Sequence, residues 1–524
     1  MASRVPVTFE PAGITTWVAP GLTVSEAARL AGVVVPAPCG GRGVCGACGV
    51  RVRSGVLAPA DAAELAGLHR AREGVRLACR ARVVGPVIVR PLVARSQTSD
   101  IRSAGNARGA RVVAGVDLGT TSVSALLVDA ETGLELARSS VPNRQQSFGA
   151  DILSRLSAAA DGARGELKSL AEESVVETLN AAAIGAGVST RDITRLVVAS
   201  NSAMSALLTG ADTSALATFP FTASPTGGPL TGDSTIFAEL AVDAETLVIA
   251  PIAGFVGGDA LAATLAAGMI DADAPVLLVD FGTNAEIVLA SHGRLTVASA
   301  AAGPAFEGIG VSCGGPVAEG AITKLRIARD GTIITEVLGD GAGEWLSGSG
   351  LVSAIAGLRR AGAIDETGRL SESGVLAGRV STNSAGVTEV RLGEGPDDGP
   401  VLSQLDIRAF QLAKAAVRVG VDAVLACAGI DAEDVERVCV AGAFGFALLS
   451  DDLETLGVMP GVLAARAAQS GNAALDGAAM VALDPSLAAI LADAAVDATH
   501  VELARDPAFA RALIGATSLA QPVE

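Results

Sequence analysis

The N-terminal part of the fold is decided by the stretch PCGGRGVCGACG, residues 38–49. It holds Cys39, Cys45 and Cys48, and a fourth cysteine, Cys79, returns in the stretch LACR. Four thiolates can hold a 2Fe-2S cluster, and the plant-type spacing is C-x4-C-x2-C with a distant fourth cysteine. Here the first gap is five residues. The glycines allow a tight backbone whose N–H groups can point at the sulfur atoms. The pattern therefore favours an iron–sulfur cluster on these four cysteines.

Two other interpretations of the cysteines remain open. Structural zinc sites usually combine two short C-x2-C pairs, whereas this loop has one such pair and a lone distant cysteine. Unligated thiols are the second alternative.

The composition limits the classes of function. The 524 residues are too many for one hydrophobic core and suggest about three or four domains. A net charge of −18 and the absence of tyrosine argue against nucleic acid or an anionic membrane as a partner. No apolar run reaches the roughly 18 residues of a membrane span, and no basic-then-apolar leader opens the sequence. Seven cysteines, an odd number, fit a reducing cytoplasm, so we expect a cytoplasmic protein.

Residues 1–91 are predicted to form a compact β-rich module. Its expected elements are strands at Val5–Glu10, Ile14–Val18, Val50–Arg53 and Val83–Arg90, and a helix that follows the capping box Thr23–Glu26 and reaches about Leu30. A small sheet that grips one helix, with the cysteine loop beside it, resembles the β-grasp fold of 2Fe-2S ferredoxins.

Apolar periodicity disappears over residues 92–110. We expect a flexible linker there, with an r.m.s. reach of roughly 25 Å. Such a tether would let a small electron carrier move between two docking positions. A plain domain connector explains the composition equally well.

Beyond the linker, two similar hairpins suggest an internal duplication. In each hairpin a buried strand ends in an aspartate, a Gly-Thr turn follows, and a second strand leaves the turn. The first hairpin covers residues 112–129 with Asp117, and the second covers residues 276–289 with Asp280. The prediction is a two-lobed α/β fold with lobes at 111–275 and 276–524 that face each other.

Later elements are also visible in the pattern. Residues 403–428 predict a helix with Ser403 and Asp406 at its cap and Gly429 at its end. A strand at Val438–Val440 runs into a glycine-rich loop, and the final segment is alanine-rich and mostly helical. Residues 333–400 are rich in Gly, Ser, Asp and Glu and predict an irregular surface region.

The hairpins suggest how a nucleotide could be bound without a P-loop, whose motif is missing from the sequence. A Gly-Thr turn exposes N–H groups to an anion, and an aspartate can hold Mg²⁺ through water. One such turn is usually only a hairpin, but two turns followed by a third glycine-rich strand end favour a nucleotide site. The predicted site comprises Asp117 and Asp280 as catalytic residues at the metal, Gly119, Thr120, Thr121, Gly282, Thr283 and Asn284 at the phosphates, and Gly442, Ala443, Phe444 and Gly445 at the adenosine.

A further glycine-rich turn precedes the helix predicted from Val352. The N–H groups of Gly348, Ser349 and Gly350 could bind an anion at a helix N-terminus. An ordinary helix cap is an equally good explanation.

These motifs together resemble a known family. The two Asp-x-Gly-Thr hairpins and the glycine-rich loop resemble the superfamily of acetate and sugar kinases, heat-shock ATPases and actin. The added 2Fe-2S module resembles the ATP-dependent reductive activators of corrinoid proteins. The resemblance covers nearly the whole chain, and the stretches that carry it are ASNSAM (199–204), GFVGGD (254–259), VDFGTNAEI (279–287), AAGPAFEG (301–308), SCG (312–314) and QLAK (411–414).

The resemblance implies a function. Members of this family return an inactive Co(II) corrinoid to Co(I) on a methyl-carrying protein, with one electron from the cluster. The resemblance implies that this transfer is uphill, from a cluster whose own potential lies near −400 mV. To drive it, ATP must bind differently to two arrangements of the lobes. The implied cofactors are the 2Fe-2S cluster, ATP and Mg²⁺. The implied partners are a corrinoid protein of a methyltransferase system and an upstream electron donor, while a homodimer is possible.

Two other functions remain as alternatives. The first is a small-molecule phosphotransferase with a regulatory ferredoxin module, in which Asp259 would be the general base. The second is a passive redox carrier or sensor whose ATPase fold hydrolyses nothing. The presence of both Asp117 and Asp280 argues against the passive carrier, because an ATPase fold without activity would not need both aspartates. The phosphotransferase is disfavoured because a kinase has no obvious use for a tethered one-electron centre.

Several isolated residues have an ordinary structural explanation beside a functional one. Asp259 after two glycines is expected to cap a helix. Cys427 and Cys439 are expected in the core, and Cys313 is expected to be a buried thiol, with a redox-active thiol as its alternative. Lys414, a lone lysine on a predicted helix, is expected on its solvated face, and contact with a nucleotide phosphate is its alternative.

Overall fold

The computed structural model describes residues 4–10, 13–31, 33, 35, 48–67, 75–91, 111–149, 151–224, 226–230, 234–270, 272–339, 341–395, 398–442, 448–505 and 508–519. Its strands form three large sheets and two small ones within these ranges. One large sheet belongs to the N-terminal module, and the other two form the cores of the two lobes.

The N-terminal module is a five-stranded sheet with strand order β2-β1-β5-β3-β4. Its elements are β1 (Val5–Phe9), β2 (Ile14–Val18), α1 (Val24–Leu30), β3 (Gly49–Leu57), α2 (Ala62–Gly67), β4 (Val75–Leu77) and β5 (Val83–Pro91). The predicted capping box is present, because Thr23 accepts from the Glu26 N–H while Glu26 accepts from the Thr23 N–H. Helix α1 packs Val24, Ala27 and Ala28 against the sheet, so the module has its own apolar core.

The first lobe contains a five-stranded sheet with order β10-β9-β6-β7-β8. Its elements are β6 (Val112–Leu118), β7 (Ser122–Asp129), β8 (Glu135–Pro142), α3 (Ile152–Ala158), α4 (Arg164–Ala186), β9 (Ile193–Ser200), α5 (Ser202–Thr209), α6 (Ser214–Ala217), β10 (Glu245–Val248) and α7 (Gly258–Ala266). Strands β6, β7 and β8 form an antiparallel meander, and β9 joins β6 in parallel. Helix α4 covers one face of this sheet through buried residues such as Leu167, Val175 and Leu179.

The second lobe repeats this pattern in a sheet with order β21-β20-β11-β12-β13-β22. Its elements are β11 (Val276–Phe281), β12 (Ala285–Ser291), β13 (Arg294–Ala300), β14 (Ala321–Ile327), β15 (Ile333–Val337), β16 (Trp345–Leu346), α8 (Gly348–Arg360), β17 (Val380–Thr382), β18 (Thr388–Arg391), β19 (Val401–Ser403), α9 (Gln404–Ala428), β20 (Arg437–Ala441), α10 (Ser450–Thr455), α11 (Gly461–Ala465), β21 (Ala467–Gln469), α12 (Ala473–Leu483), α13 (Ser486–Asp497), β22 (Thr499–His500) and α14 (Phe509–Gly515). Strands β11, β12 and β13 form the meander, and β20 joins β11 in parallel. The duplicated fold class predicted from the two hairpins is therefore confirmed.

Helices α7 and α12 lie between the two sheets and share one apolar core with both of them. The two helices approach closely because glycine replaces a side chain at the contact. A Cβ atom at Gly477 would lie 1.9 Å from the Ala262 carbonyl oxygen, and one at Gly115 would lie 2.5 Å from the Ala479 nitrogen. A larger residue at Gly477 would force α12 away from α7, and one at Gly115 would force α12 away from strand β6.

The predicted irregular region at 333–400 is partly wrong. It contains α8, whose residues 348–358 are all buried, in addition to short strands. The glycines and serines that suggested a surface loop instead allow α8 to pack tightly, since a Cβ atom at Gly348 would lie 1.8 Å from the Phe306 carbonyl oxygen. By contrast, α9 and its Ser403–Asp406 capping box are found where the pattern predicts them, with Gly429 at the C-terminal cap.

The linker proposed at 92–110 lies outside the described residues, so its flexibility stays a prediction, as do the domain limits. Over the ranges that the structure describes, none of the helices is long and apolar enough to cross a bilayer.

Candidate functional site

Strand pairing in the N-terminal module brings two of the four predicted cluster ligands together. Cys48 lies just before β3 and Cys79 lies just after β4, and these two strands pair with Gly49 opposite Leu77. The two Sγ atoms are 3.2 Å apart, well beyond a disulfide bond of about 2.05 Å. Two thiols at this separation fit ligands of one cluster. Cys39 and Cys45, the other two predicted ligands, lie outside the described residues.

A buried ion pair fixes the strand that carries Cys79. The buried Glu64 carboxylate accepts from the Arg76 guanidinium at 2.7 Å through both of its oxygens. Glu64 also accepts from the Leu77 N–H at 2.9 Å. This contact holds the end of β4, so that Cys79 is presented beside Cys48.

The second site lies between the lobes, where Asp117 and Asp280 are the penultimate residues of β6 and β11. Both side chains are half-buried, and each hairpin turn follows directly. In the first turn the Gly119 N–H donates to the Ser122 carbonyl at 3.0 Å, which closes the turn around Thr120 and Thr121. The predicted catalytic aspartates and the threonines of both turns therefore face one cleft.

Two further carboxylates share this cleft. Glu286 on β12 lies directly opposite Asp280 on β11, and the pair would be destabilising without a compensating cation. Asp259 lies in the first turn of α7, where its negative charge acts on Asp280. Asp117, Asp259, Asp280 and Glu286 thus form an acidic cleft.

The electrostatics of the acidic cleft raise the pKa of every carboxylate in it. Burial raises the pKa of Asp117 to about 6, although a hydrogen bond from Asn472 opposes the shift. Burial and the negative charge of Asp117 raise the pKa of Asp259 to about 7. Burial and the charges of Asp259 and Asp117 raise the pKa of Asp280 to about 8. A bound cation would reverse these shifts.

The role expected for Asp259 as a helix cap is wrong. The N-cap of α7 is Gly257, and Asp259 accepts from the Ala260 N–H inside the first turn. The two glycines before it are required by packing, because a Cβ atom at Gly257 would lie 2.3 Å from the Ser200 carbonyl oxygen. The Gly-Gly-Asp sequence therefore brings α7 against the end of β9 and Asp259 into the acidic cleft.

Glu307 connects the two hairpins. Its Oε2 atom accepts from the Thr121 hydroxyl at 2.8 Å, and its Oε1 atom accepts from the Thr283 hydroxyl at 3.2 Å. Burial raises the pKa of Glu307, and the hydrogen bonds from both threonines oppose the shift. One carboxylate thereby joins the two turns predicted to bind phosphate.

A buried arginine supports the first turn from behind. Arg155 is fully buried and donates to the Thr120 carbonyl at 2.5 Å and to the Gly149 carbonyl at 2.9 Å. Burial lowers its pKa to about 9. Asn201 donates to the Thr120 hydroxyl at 3.1 Å, so both the carbonyl and the hydroxyl of Thr120 are held.

The third glycine-rich strand end reaches the same cleft. Gly442 has a φ of 107°, and a Cβ atom there would lie 3.0 Å from Asp280 Oδ1. Glycine is required by both the backbone conformation and the close approach. Ala443, Phe444 and Gly445, the rest of the predicted adenosine loop, lie outside the described residues.

The glycine-rich turn at 348–350 is buried. The Gly350 N–H donates to Ser347 Oγ at 3.1 Å, and Ser349 Oγ donates to the Thr323 carbonyl at 3.0 Å. A Cβ atom at Gly350 would lie 2.0 Å from the Ile322 carbonyl oxygen. Close packing accounts for Gly348 and Gly350, and nucleotide binding by Gly348, Ser349 and Gly350 stays a prediction.

Two expectations for isolated residues are wrong. Lys414 is buried and donates to the carbonyls of Gly457 at 3.2 Å and Ser518 at 2.5 Å, and burial lowers its pKa to about 7. It therefore ties α9 to the C-terminal segment. Cys427 is exposed at the end of α9, whereas Cys313 and Cys439 are buried as expected.

Sequence reasoning assigned no role to four polar residues of the cleft: Arg155, Glu286, Glu307 and Asn472. The alternation of β12 could have revealed Glu286, since it stands on the same face as Asp280 across the turn. No local sequence pattern indicates a role for Asn472, whose partner Asp117 is 355 residues away.

In the described part of the chain no three His, Cys, Asp or Glu residues assemble a metal site, so a cation in the acidic cleft would need phosphate or water ligands.

Three family models together cover most of the chain. Residues 7–84 match the 2Fe-2S iron-sulfur cluster binding domain. Residues 112–272 match the RACo middle region, and residues 274–523 match the C-terminal domain of RACo, the ASKHA domain. The chain belongs to the RACo family. The match to the cluster-binding domain favours iron–sulfur ligation over zinc, and the ASKHA domain supports nucleotide binding.

RACo-family relatives extend this result. The corrinoid activation enzyme RamQ of Eubacterium limosum is 33% identical over 407 residues, which are 75% of this chain and 68% of RamQ. The Co(II) methylated amine-specific corrinoid protein reductase of Methanosarcina barkeri is 28% identical over 275 residues, 48% of this chain and 47% of the reductase. A solved reductive activator for corrinoid,iron-sulfur protein superposes with a TM-score of 0.71 at 24% identity and 98% coverage of both chains, which shows a shared fold.

Proposed function

We propose that this RACo-family protein uses ATP to drive the one-electron reduction of a Co(II) corrinoid protein to Co(I), which prepares it for methyl transfer. The observation that carries the proposal is the combination of two sites in one chain. A ferredoxin-type sheet presents Cys48 and Cys79 with their sulfurs 3.2 Å apart. The acidic cleft between the duplicated hairpins is the proposed nucleotide site. The names of the two relatives support a corrinoid protein as the substrate.

The proposed cluster site consists of Cys39, Cys45, Cys48 and Cys79. A 2Fe-2S cluster bound there supplies a low-potential one-electron centre. The protein contributes the pairing of β3 with β4 and the Glu64–Arg76 pair, which orient two of the thiols. An upstream electron donor is part of the proposal, because each turnover consumes one electron.

The proposed nucleotide site consists of the two hairpins and the third glycine-rich strand end. Gly119, Thr120, Thr121, Gly282, Thr283 and Asn284 would bind the phosphates, and Gly442 to Gly445 would approach the adenosine. Asp117 and Asp280 would hold Mg²⁺ through water and are the proposed catalytic residues. The cation would also offset the repulsion between Asp280 and Glu286, which are paired across the hairpin.

The two sites must be coupled for reduction to run uphill. Phosphates that contact both hairpins favour one arrangement of the lobes, and the corrinoid protein must favour the same arrangement. Because such linkage is reciprocal for binding, the Co(II) partner should tighten ATP binding by roughly 5- to 150-fold. A cytoplasmic location is part of the proposal, since the thiols need reducing conditions.

The decisive experiment mixes anaerobically reduced protein with candidate Co(II) corrinoid proteins and follows cobalt absorbance. Co(I) should form only with ATP, and Asp280→Asn should abolish the reaction. Asp422→Asn, which alters a half-exposed aspartate on α9, is the matched control. Cobalt reduction at equal rates without ATP would leave only the passive carrier. Light scattering of the same samples decides between a monomer and a homodimer.

A phosphotransferase remains the second candidate because Asp259, the residue that it would need as general base, lies in the acidic cleft. Screening sugars and short carboxylic acids for phosphorylation by Mg-ATP tests this function directly.

A further inference from the structure

Glu307 occupies an unusual place between the lobes. Its two carboxylate oxygens accept from two threonines, Thr121 and Thr283, that belong to different hairpins. Thr121 is 186 residues from Glu307 in the sequence, so the contact is purely tertiary. Hydrogen bonds to a charged acceptor are stronger than neutral ones, and this pair of bonds links the hairpins directly.

The backbone around Glu307 is built to hold it in place. Glu307 ends the 3-10 turn Pro304–Glu307, and the flanking glycines Gly303 and Gly308 take φ values of 72° and 70°. Phe306 is fully buried, with its ring 5.0 Å from Phe281 and 5.5 Å from Phe410. The turn is therefore anchored to β11 and α9, and the carboxylate points at the hairpins from a fixed base.

The groups around the Glu307 carboxylate, two hydroxyl donors and a buried guanidinium, are those that would surround a bound anion. The buried Arg155 guanidinium lies behind the Thr120–Thr121 turn, and its positive charge acts on Glu307. One anionic group thus accepts hydroxyl donors from both lobes with a cation behind it. A phosphate lying between the hairpins would be held by the same donors.

We propose that Glu307 is an interlobe clasp, which occupies the Thr121 and Thr283 hydroxyls until a nucleotide phosphate replaces its carboxylate. The replacement step rests on the proposed function, whereas the clasp itself does not. In the nucleotide-free protein the clasp holds both hairpins in register. When phosphate accepts from the two threonines instead, the Glu307 carboxylate loses its partners. The 3-10 turn Pro304–Glu307, which packs against β11 and α9, then responds to whether nucleotide is bound.

Glu307→Gln tests the replacement step, because it removes the competing charge and leaves a side chain of the same size. Affinity for ADP and for a non-hydrolysable ATP analogue, measured by calorimetry, should rise by about tenfold. Turnover should fall, because the carboxylate no longer competes with bound ADP for the threonine donors and product release is therefore slower. Affinity and turnover moving in opposite directions would not follow from a loss of stability alone. Unchanged or weaker nucleotide binding would overturn the clasp.

Two variants serve as comparisons. Thr121→Val removes one of the donors and should weaken nucleotide binding, which is the opposite of the Glu307→Gln effect. Glu172→Gln alters another buried glutamate that accepts from a threonine, since Thr235 donates to it at 3.1 Å on the far side of the first lobe. Glu172→Gln should lower the melting temperature without changing nucleotide affinity. An equal gain of affinity in Glu172→Gln would also overturn the clasp.

Amide hydrogen exchange in the absence of nucleotide tests the clasp separately. Glu307→Gln should speed exchange at both hairpin turns, residues 118–122 and 281–285, relative to Glu172→Gln. Unchanged protection at both turns would overturn the clasp whatever the nucleotide data show. A wild-type chain that binds no nucleotide would overturn the proposed function instead, and hydrogen exchange would then decide the clasp alone.

Discussion

The side-chain amide of Asn472 donates to the Asp117 carboxylate at 2.8 Å. The same side chain caps α12, because its carbonyl oxygen accepts from the Leu475 N–H at 2.9 Å. One amide thus joins the start of a helix from the second lobe to the first predicted catalytic aspartate. This hydrogen bond lowers the pKa of Asp117 against the opposing effect of burial.

Asn472→Ser should therefore shift the pH dependence of ATP turnover. Serine still accepts a cap hydrogen bond but removes the donor to Asp117. The pKa of Asp117, raised by burial to about 6, should rise further, so that the active carboxylate form is lost at higher pH on the acid side. We expect the acid limb of turnover to move up by about one pH unit with little change at alkaline pH. An acid limb that stays at the wild-type pH would contradict this assignment of Asn472.

Asp280→Asn should lower Mg²⁺-dependent ATP hydrolysis by roughly 100-fold or more, since it removes a charge that acts at the phosphate end. Nucleotide affinity should change much less, because the adenosine contacts remain. Steady-state phosphate release and nucleotide titration measure the two effects. Asp422→Asn, at an aspartate whose pKa is also raised by burial, should leave both unchanged. Hydrolysis that survives both Asp117→Asn and Asp280→Asn would refute the predicted role of the hairpins.

The acidic cleft should make the nucleotide-free protein less stable as pH rises. Asp117, Asp259 and Asp280 have pKa values raised to about 6, 7 and 8 in the folded chain, so folding favours their protonated forms. That contribution is complete below pH 4 and is lost as pH rises through 6 to 8. We expect the free energy of unfolding to fall by several kcal/mol between pH 5 and 8.

Urea unfolding at several pH values, in the wild type and in Asp280→Asn, measures this loss. The variant should show a smaller decline, because one of the repelling charges is gone. Saturating Mg²⁺ should flatten the wild-type curve in the same way. Parallel curves for the two proteins would show that the cleft does not control the pH dependence.

Cys48→Ser should remove the iron–sulfur cluster without affecting the nucleotide site. Wild-type protein purified without oxygen should contain about two iron and two sulfide per chain and give an EPR signal when reduced. The variant should lose the signal and most of the iron, and it should bind nucleotide with wild-type affinity. Cys427→Ser, at an exposed cysteine of α9, should behave as the wild type. One equivalent of zinc without sulfide in the wild type would favour the alternative metal.

Glu64→Gln should destabilise the N-terminal module far more than Asp61→Asn. Glu64 is buried and binds Arg76 through both oxygens, and breaking a buried pair costs about 3–5 kcal/mol. Asp61 binds Arg80 at the surface, where water screens the two charges and the pair contributes little to stability. Denaturant unfolding of both variants, followed by iron content, gives the comparison. Equal losses would mean that Glu64 does not hold β4.

The features that could be predicted from sequence are local ones. The capping boxes at Thr23–Glu26 and Ser403–Asp406 lie next to strong periodic patterns, and both helices begin where they should. The two hairpins were visible because each combines a buried strand with a Gly-Thr turn, and their strands pair as expected. Helix caps and hairpin turns can be predicted because the residues that form them are neighbours in the sequence.

Residues whose partners are distant could not be assigned in the same way. Glu307 and Asn472 bind side chains 186 and 355 residues away, and no pattern in either stretch reveals that contact. Lys414 is different, because it stands four residues after Phe410 and three before Val417, on the apolar face of α9. Its position on that face was readable from the helical period, and the preference of lysine for solvent gave the wrong answer.

Helix α12 has a consequence for how the chain is made. Its residues 473–483 cover β6, β9 and α7 of the first lobe, although they come from the far end of the polypeptide. During synthesis, the apolar face of the β6–β9 sheet stays uncovered until that helix leaves the ribosome. Because exposed apolar strands promote aggregation, this is the stage at which a chaperone would matter most. Any truncated chain that ends before residue 473 should leave the same apolar face of the β6–β9 sheet exposed to solvent.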